Sequence, residues 1–354
     1  MRATQLESDL AGRAAQSRIG VLDPLRADEV LTHLPAMNAR VDVPGLTRAL
    51  ADLLPSEELL SRLNADECVA AMRDLGMFLG SLRRHDVEPV DVVAGLEPVL
   101  VELGRRTSMV PRDTVFHYTS WNPVGVRRRL YTGDAAESVL IDSTRITLGP
   151  LADAVELCRR LSQMDVEEMS GPLCALATHV RSFDESMRML KGRVSPEYFA
   201  RTMRPYFQPV RVGGRPYAGP AGSQVPLFLV DIVLWAADRG SPEFTEFQRD
   251  ATPYMVPEWR NLPHRWTRTP SVVTGVAAAM AVPSPAVEQA AMACADVLRA
   301  LIEFRGKHVV LARRAYDPTV GLYPNGSGGG TVDLLGAILD LTRANRGLVT
   351  RHHR

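Results

Sequence analysis

Apolar side chains recur at helical spacing over long parts of this chain. Between Asp66 and His85, the residues Val69, Met72, Leu75, Phe78, Leu79 and Leu82 follow the helical period, and strand-like alternation is absent. Nearer the C-terminus, Cys294, Leu298, Leu301, Arg305, His308 and Ala312 stand three or four residues apart and so share one helical face. Asp23-Pro24, Ser195-Pro196, Ser241-Pro242 and Ser284-Pro285 each set a capping side chain before a proline suited to the first helical position. These signals predict a mainly α protein. The best strand pattern runs from Thr114 to Trp121.

Breaks in the pattern predict the organisation. The stretch from Arg106 to Gly133, with Pro111, Asn122-Pro123 and Thr132-Gly133, reads as a loop-rich join. It divides a smaller helical N-terminal domain, residues 1–130, from a larger one, residues 131–354. A second irregular stretch, Gln208 to Ser223, holds Gly213-Gly214, Pro216, Gly219-Pro220 and Gly222. It reads either as a plain interhelical loop or as backbone able to approach something flat and bulky. The glycine run Gly326 to Gly330 lacks the Lys-Ser/Thr ending of a phosphate-binding loop and follows no strand. A lid over a substrate is expected instead, with Thr331 capping a helix from Val332 to Asn345.

Composition narrows the classes. The 354 residues carry 41 basic and 41 acidic side chains, so no net charge draws the chain to nucleic acid or to an acidic membrane. Cys68, Cys158, Cys174 and Cys294 lack the paired spacing of a zinc or iron–sulfur site and are expected to be reduced thiols. Met1 to Arg13 contains no signal-like apolar core, and no apolar stretch reaches the length of a membrane span. A cytoplasmic location is expected.

The candidate chemistry lies on the C-terminal face. His308 sits one turn after Arg305 among apolar residues. A neutral imidazole there is suited to ligating a haem iron while the arginine meets a propionate, or else it is a core histidine bonded to a backbone carbonyl. Arg204, near Phe199, Met203 and Tyr206, is either a bidentate carboxylate grip or a surface arginine at a helix end. Asp231 interrupts the apolar run Val225 to Trp235, and a buried lone charge costs several kcal/mol, so it is expected to pair with Arg305. His117 and His179 read as structural. No Gly-x-Ser-x-Gly is present, which ranks hydrolase chemistry low.

Five ordered segments resemble the haem-dependent superfamily of indoleamine 2,3-dioxygenase. They are Val194 to Arg204, Gly219 to Ser223 with Asp231, Tyr254 to Arg260, Arg305 with His308, and Ser327-Gly328-Gly329. Within it, Ala71 to Leu82, Gly95 to Leu100, Trp121-Asn122-Pro123, Tyr131-Thr132-Gly133, Arg204 to Gly214 and Pro226-Leu227-Phe228 are similar to the monodechloroaminopyrrolnitrin synthase family of pyrrolnitrin biosynthesis. Ala218 to Gln224 is more similar to the dioxygenases, and Gly328 to Thr331 is less bulky than its counterpart in the pyrrolnitrin family.

The resemblance implies an all-α, two-domain fold around haem b. It makes His308 the proximal ligand of the haem iron and Arg305 the propionate partner supported by Asp231, and it lays Ala221 and Gly222 against the haem edge. It makes Phe199 a distal wall, Arg204 the substrate-carboxylate site, and Tyr316 and Ser327 neighbours of the substrate. Ser143 is the candidate distal polar residue. The implied substrate is tryptophan or a chlorotryptophan, with dioxygen and an unidentified electron donor as partners, and the implied product is an aminophenylpyrrole. The alternatives are a haem dioxygenase or monooxygenase of an aromatic amino acid, and a haem-based sensor.

Overall fold

The computed structural model describes residues 10–320, 323, 326 and 330–350. Among these the chain is helical apart from one two-stranded hairpin, the all-α class expected.

The helix α1, Ala65–Arg84, begins at a reciprocal cap in which the Glu67 amide donates to Asn64 Oδ1 and the Asn64 amide to Glu67 Oε2. It is buried from Cys68 to Leu82. Val69 and Ala70 join one core, while Cys68, Ala71, Met72 and Leu75 join the other. Arg73 and Asp74 are buried in the same helix as an adjacent ion pair at 2.8 Å. Arg129 reaches Asp74 at 3.0 Å, and Arg73 donates to the carbonyls of Ile19, Leu22 and Trp121. This network ties the irregular 121–129 stretch to α1.

The larger core belongs to four long helices. α2 is Ala135–Leu161, α3 is Ser170–Leu190, α4 is Pro285–Ala315 and α5 is Val332–Thr350. α3 packs against both α2 and α4, and α5 closes over α4. Ser284 and Ser241 cap the helices that follow them, accepting from the Val287 and Phe244 amides. Thr331 Oγ1 accepts from the Leu334 amide at 3.1 Å, and α5 runs on past Asn345 to Thr350. No helix among the described residues is long and apolar enough to cross a membrane.

Three local expectations change. The strand expected at Thr114 to Trp121 is a single helical turn, Val115–Tyr118. Both faces of that segment are buried, so its alternation marks no solvent side. The Thr114 amide finds its acceptor in His117 Nδ1 at 3.0 Å instead of in a neighbouring strand. Asp23-Pro24 forms a turn, and the Asp23 carboxylate accepts from the Ala27 and Asp28 amides at the start of Asp28–Ala39. Within Gln208 to Ser223 lies the hairpin β1, Val210–Val212, and β2, Arg215–Tyr217, pairing Val210 with Tyr217 and Val212 with Arg215. Its turn is Gly213-Gly214 with φ of +58° and +72°, the left-handed pair that a tight hairpin turn favours.

Candidate active site

The 350 Å³ cavity that opens between the four long helices and the 219–228 segment is walled largely by apolar side chains, among them Phe183, Phe199, Phe228 and Phe304. His308 lies on its wall, carried on α4 one turn beyond Arg305. The ring stacks at 5.6 Å on Phe304, which meets Phe183 edge to face. Neither ring nitrogen has a hydrogen-bond partner among the described residues. The carbonyl-bonded core histidine of the alternative reading is therefore absent, and the imidazole keeps a free lone pair. Burial, reinforced by the nearby Arg305 cation, lowers its pKa to about 4, so the ring is neutral at neutral pH.

Behind it Arg305 donates to Asp231 Oδ2 at 2.5 Å and to Thr342 Oγ1 at 2.5 Å. Trp235 Nε1 donates to the other carboxylate oxygen at 3.1 Å. The pair is thus anchored from the 228–236 segment, α4 and α5 together. Arg305 and Asp231 both reach the cavity wall. The helix carrying Asp231 widens into a π-helical segment, Ile232–Ala236. A second one, Tyr198–Met203, carries Phe199 and leads directly into Arg204. Such wide turns gather at functional sites because they re-aim side chains within a continuous helix.

Arg204 is buried but stands behind the cavity wall rather than on it. Its guanidinium lies 4.4 Å over the Tyr323 ring and makes one long contact, 3.4 Å, to the Gly326 carbonyl. Its Nε and Nη1 are buried with no partner among the described residues. Burial lowers the Arg204 pKa, opposed by Tyr316 and Tyr323. Tyr316 lines the cavity and joins it to Arg204; burial raises the phenol pKa and the arginine opposes that rise. A buried cation with unpaired N–H groups is energetically incomplete and fits an anionic ligand.

Ala221 and Gly222 line the cavity edge. A Cβ added at Gly222 meets nothing within 4 Å. Gln224 holds this turn, accepting from the Val115 amide and donating to the Gly219 carbonyl, both at 2.8 Å. Ser143 also lines the cavity, with its hydroxyl donated to the Leu140 carbonyl at 2.8 Å. Ser327 lies outside the described residues. His117 accepts from Thr114 and abuts Trp121, and His179 is 3.8 Å from Asp153; neither lines the cavity.

Gln224, Phe304, Thr342 and Tyr323 were not singled out from sequence. Of these only Phe304 carries a signal, one helical turn before His308. No group of His, Cys, Asp and Glu able to hold a bare metal ion occurs among the described residues. The donor set is therefore one neutral imidazole over an apolar slot with an arginine beside it, residues of a kind that would fit a haem. A family model described as monodechloroaminopyrrolnitrin synthase PrnB matches residues 15–352.

Proposed function

Because the chain belongs to the monodechloroaminopyrrolnitrin synthase family, enzymes of pyrrolnitrin biosynthesis that act on a tryptophan-derived substrate, we propose that it performs a haem-dependent oxidative rearrangement of tryptophan or chlorotryptophan to an aminophenylpyrrole. The observation that carries this reading is His308, neutral and without a hydrogen bond among the described residues, facing a largely apolar cavity.

Bound there, haem b supplies the redox chemistry of dioxygen, with electrons from a separate donor. His308 would offer a ring nitrogen to the iron, and its low pKa keeps that lone pair free of a proton. Arg305, fixed by Asp231 and Thr342, presents its cation to a propionate. Ala221 and Gly222 leave the edge of the slot uncrowded.

The substrate is held by the opposite group of residues. Arg204 binds the carboxylate through the fork of Nε and Nη2, replacing the long Nη2 contact to Gly326, while Tyr316 borders the ring and Phe199 lines the wall. Apolar walls exclude water, so the indole is positioned rather than solvated. Ser327 is assigned beside the substrate by resemblance alone.

Simple oxygen insertion, as in a tryptophan dioxygenase or monooxygenase, is the second reading, favoured by the likeness of Ala218 to Gln224 to the dioxygenases. Mass spectrometry of the products from tryptophan and chlorotryptophan separates the two. A decarboxylated aminophenylpyrrole supports the rearrangement; a product that keeps the carboxylate and gains one or two oxygen atoms overturns it in favour of insertion.

A further inference from the structure

The buried acids among the described residues are Asp74, Asp113, Glu137 and Asp231. Asp74 is paired with Arg73 and Arg129, Asp113 with Arg112, and Asp231 with Arg305. Glu137 is 0% exposed and has no cation beside it among the described residues. Its partners are neutral donors. Tyr118 Oη at 2.9 Å and the Tyr131 amide at 2.7 Å reach Oε1. The Thr132 amide at 2.7 Å, the Thr132 hydroxyl at 2.8 Å and the Gly133 amide at 3.3 Å reach Oε2.

The hydroxyls among these partners continue in both directions. Inward, Tyr118 lines the cavity. Outward, Thr132 Oγ1 is 3.1 Å from Tyr198 Oη, which donates to exposed Asp134 at 3.1 Å. A line of exchangeable protons therefore runs from solvent to Tyr118, a residue of the cavity wall, with a carboxyl at its centre. We propose that Asp134, Tyr198, Thr132, Glu137 and Tyr118 form a proton path that delivers solvent protons to the reaction cavity. Its purpose rests on the oxidative chemistry proposed above, since reduction of dioxygen consumes protons; its existence does not.

Each transfer balances. Tyr118 gives its hydroxyl proton to an acceptor in the cavity and takes one from Glu137 Oε1. Thr132 gives its own to Oε2, takes one from Tyr198, and Tyr198 is restored from Asp134 and water. The acid ends neutral with its proton on the other oxygen and resets by rotation of the carboxyl. Burial raises the Glu137 pKa, and its hydrogen bonds oppose the rise. Without a counter-cation, protonation here breaks no ion pair, unlike at the other buried acids. The titratable groups facing Glu137 are Tyr118, Tyr131, Tyr198, Tyr206 and Asp134.

The competing role is an anchor that merely ties the 131–133 turn to the start of α2. Infrared spectra in D2O on the acid side of neutrality separate the two without any cofactor. The path predicts a protonated-carboxyl band, missing in Glu137→Gln, that shifts on deuteration at least tenfold more slowly in Tyr198→Phe. That variant leaves every donor to Glu137 in place, so it stays informative if Glu137→Gln unfolds. Equal exchange rates in wild type and Tyr198→Phe overturn the path, as does the absence of any such band while the protein is folded. In the haem-loaded enzyme, Tyr198→Phe is expected to lower kcat about tenfold at unchanged KM and to enlarge the solvent isotope effect. Unchanged kcat and isotope effect there overturn the path's catalytic use. A failed haem assignment shows instead as no turnover in wild type, with the exchange difference intact.

Discussion

Replacing Asp231 by asparagine isolates one charge in the least accessible part of the site. The Arg305 and Asp231 side chains are 8% and 2% exposed and 2.5 Å apart. Removing one member of such a pair leaves the other buried and costs about 3–5 kcal/mol. Arg305 keeps Thr342 as a neutral acceptor and borders the cavity instead of lying wholly in the core, so the lower end applies, about 3 kcal/mol. Asparagine still offers an oxygen to Trp235, so that hydrogen bond is not part of the loss. At about 1.3 °C per kcal/mol for a chain of this size, the melting temperature falls by about 4 °C. The double variant Asp231→Asn/Arg305→Met removes the stranded cation and is expected to recover to within about 1 kcal/mol of wild type. Calorimetry or urea unfolding of the three proteins reads this directly. A single variant that melts within about 1 °C of wild type, or a double variant no better than the single, refutes the reasoning.

Other consequences are equally specific. Burial lowers the His117 pKa to about 3. The unfolded chain, near 6.5, therefore binds the proton first, and stability is complete above about pH 6.5 and falls as pH drops toward 3, by roughly 3–5 kcal/mol in all. Acid unfolding of His117→Asn should show a flatter limb over that window. A Cβ at Gly80 lies 2.4 Å from Tyr131 Oη and 2.8 Å from the Tyr206 carbonyl, so Gly80→Ala should destabilise by about 2 kcal/mol despite better helix propensity. At Gly306 a Cβ meets nothing within 4 Å, and Gly306→Ala should gain about 0.5–1 kcal/mol in the same denaturant assay. Arg204→Met removes a buried guanidinium whose Nε and Nη1 have no partner among the described residues, so it should leave stability unchanged or higher while raising KM for tryptophan about 10–100-fold.

Long-range burial was legible where periodicity was long. α1 and α4 declare themselves because their apolar positions run for many residues without a proline or glycine pair. The partnership of Asp231 with Arg305 follows from the energetics of a charge inside an apolar run. Short segments were less readable. Val115–Tyr118 alternates like a strand because it is buried on both sides, and Gly213-Gly214 looks like an unstructured loop until β1 and β2 are seen to pair across it. The π-helical segments Tyr198–Met203 and Ile232–Ala236 have no sequence mark. Glu137 was invisible for a related reason: its donors come from Tyr118 and the 131–133 turn, brought together only by the fold.

The central claim is that His308 holds a haem that responds to an indole amino acid. Visible absorption of the haem-supplied protein, ferric and ferrous, with and without tryptophan and beside His308→Ala, tests it most directly. The account predicts a strong Soret band that depends on His308 and shifts when tryptophan is added. A band of equal strength in His308→Ala, or no band in the wild-type protein, contradicts it.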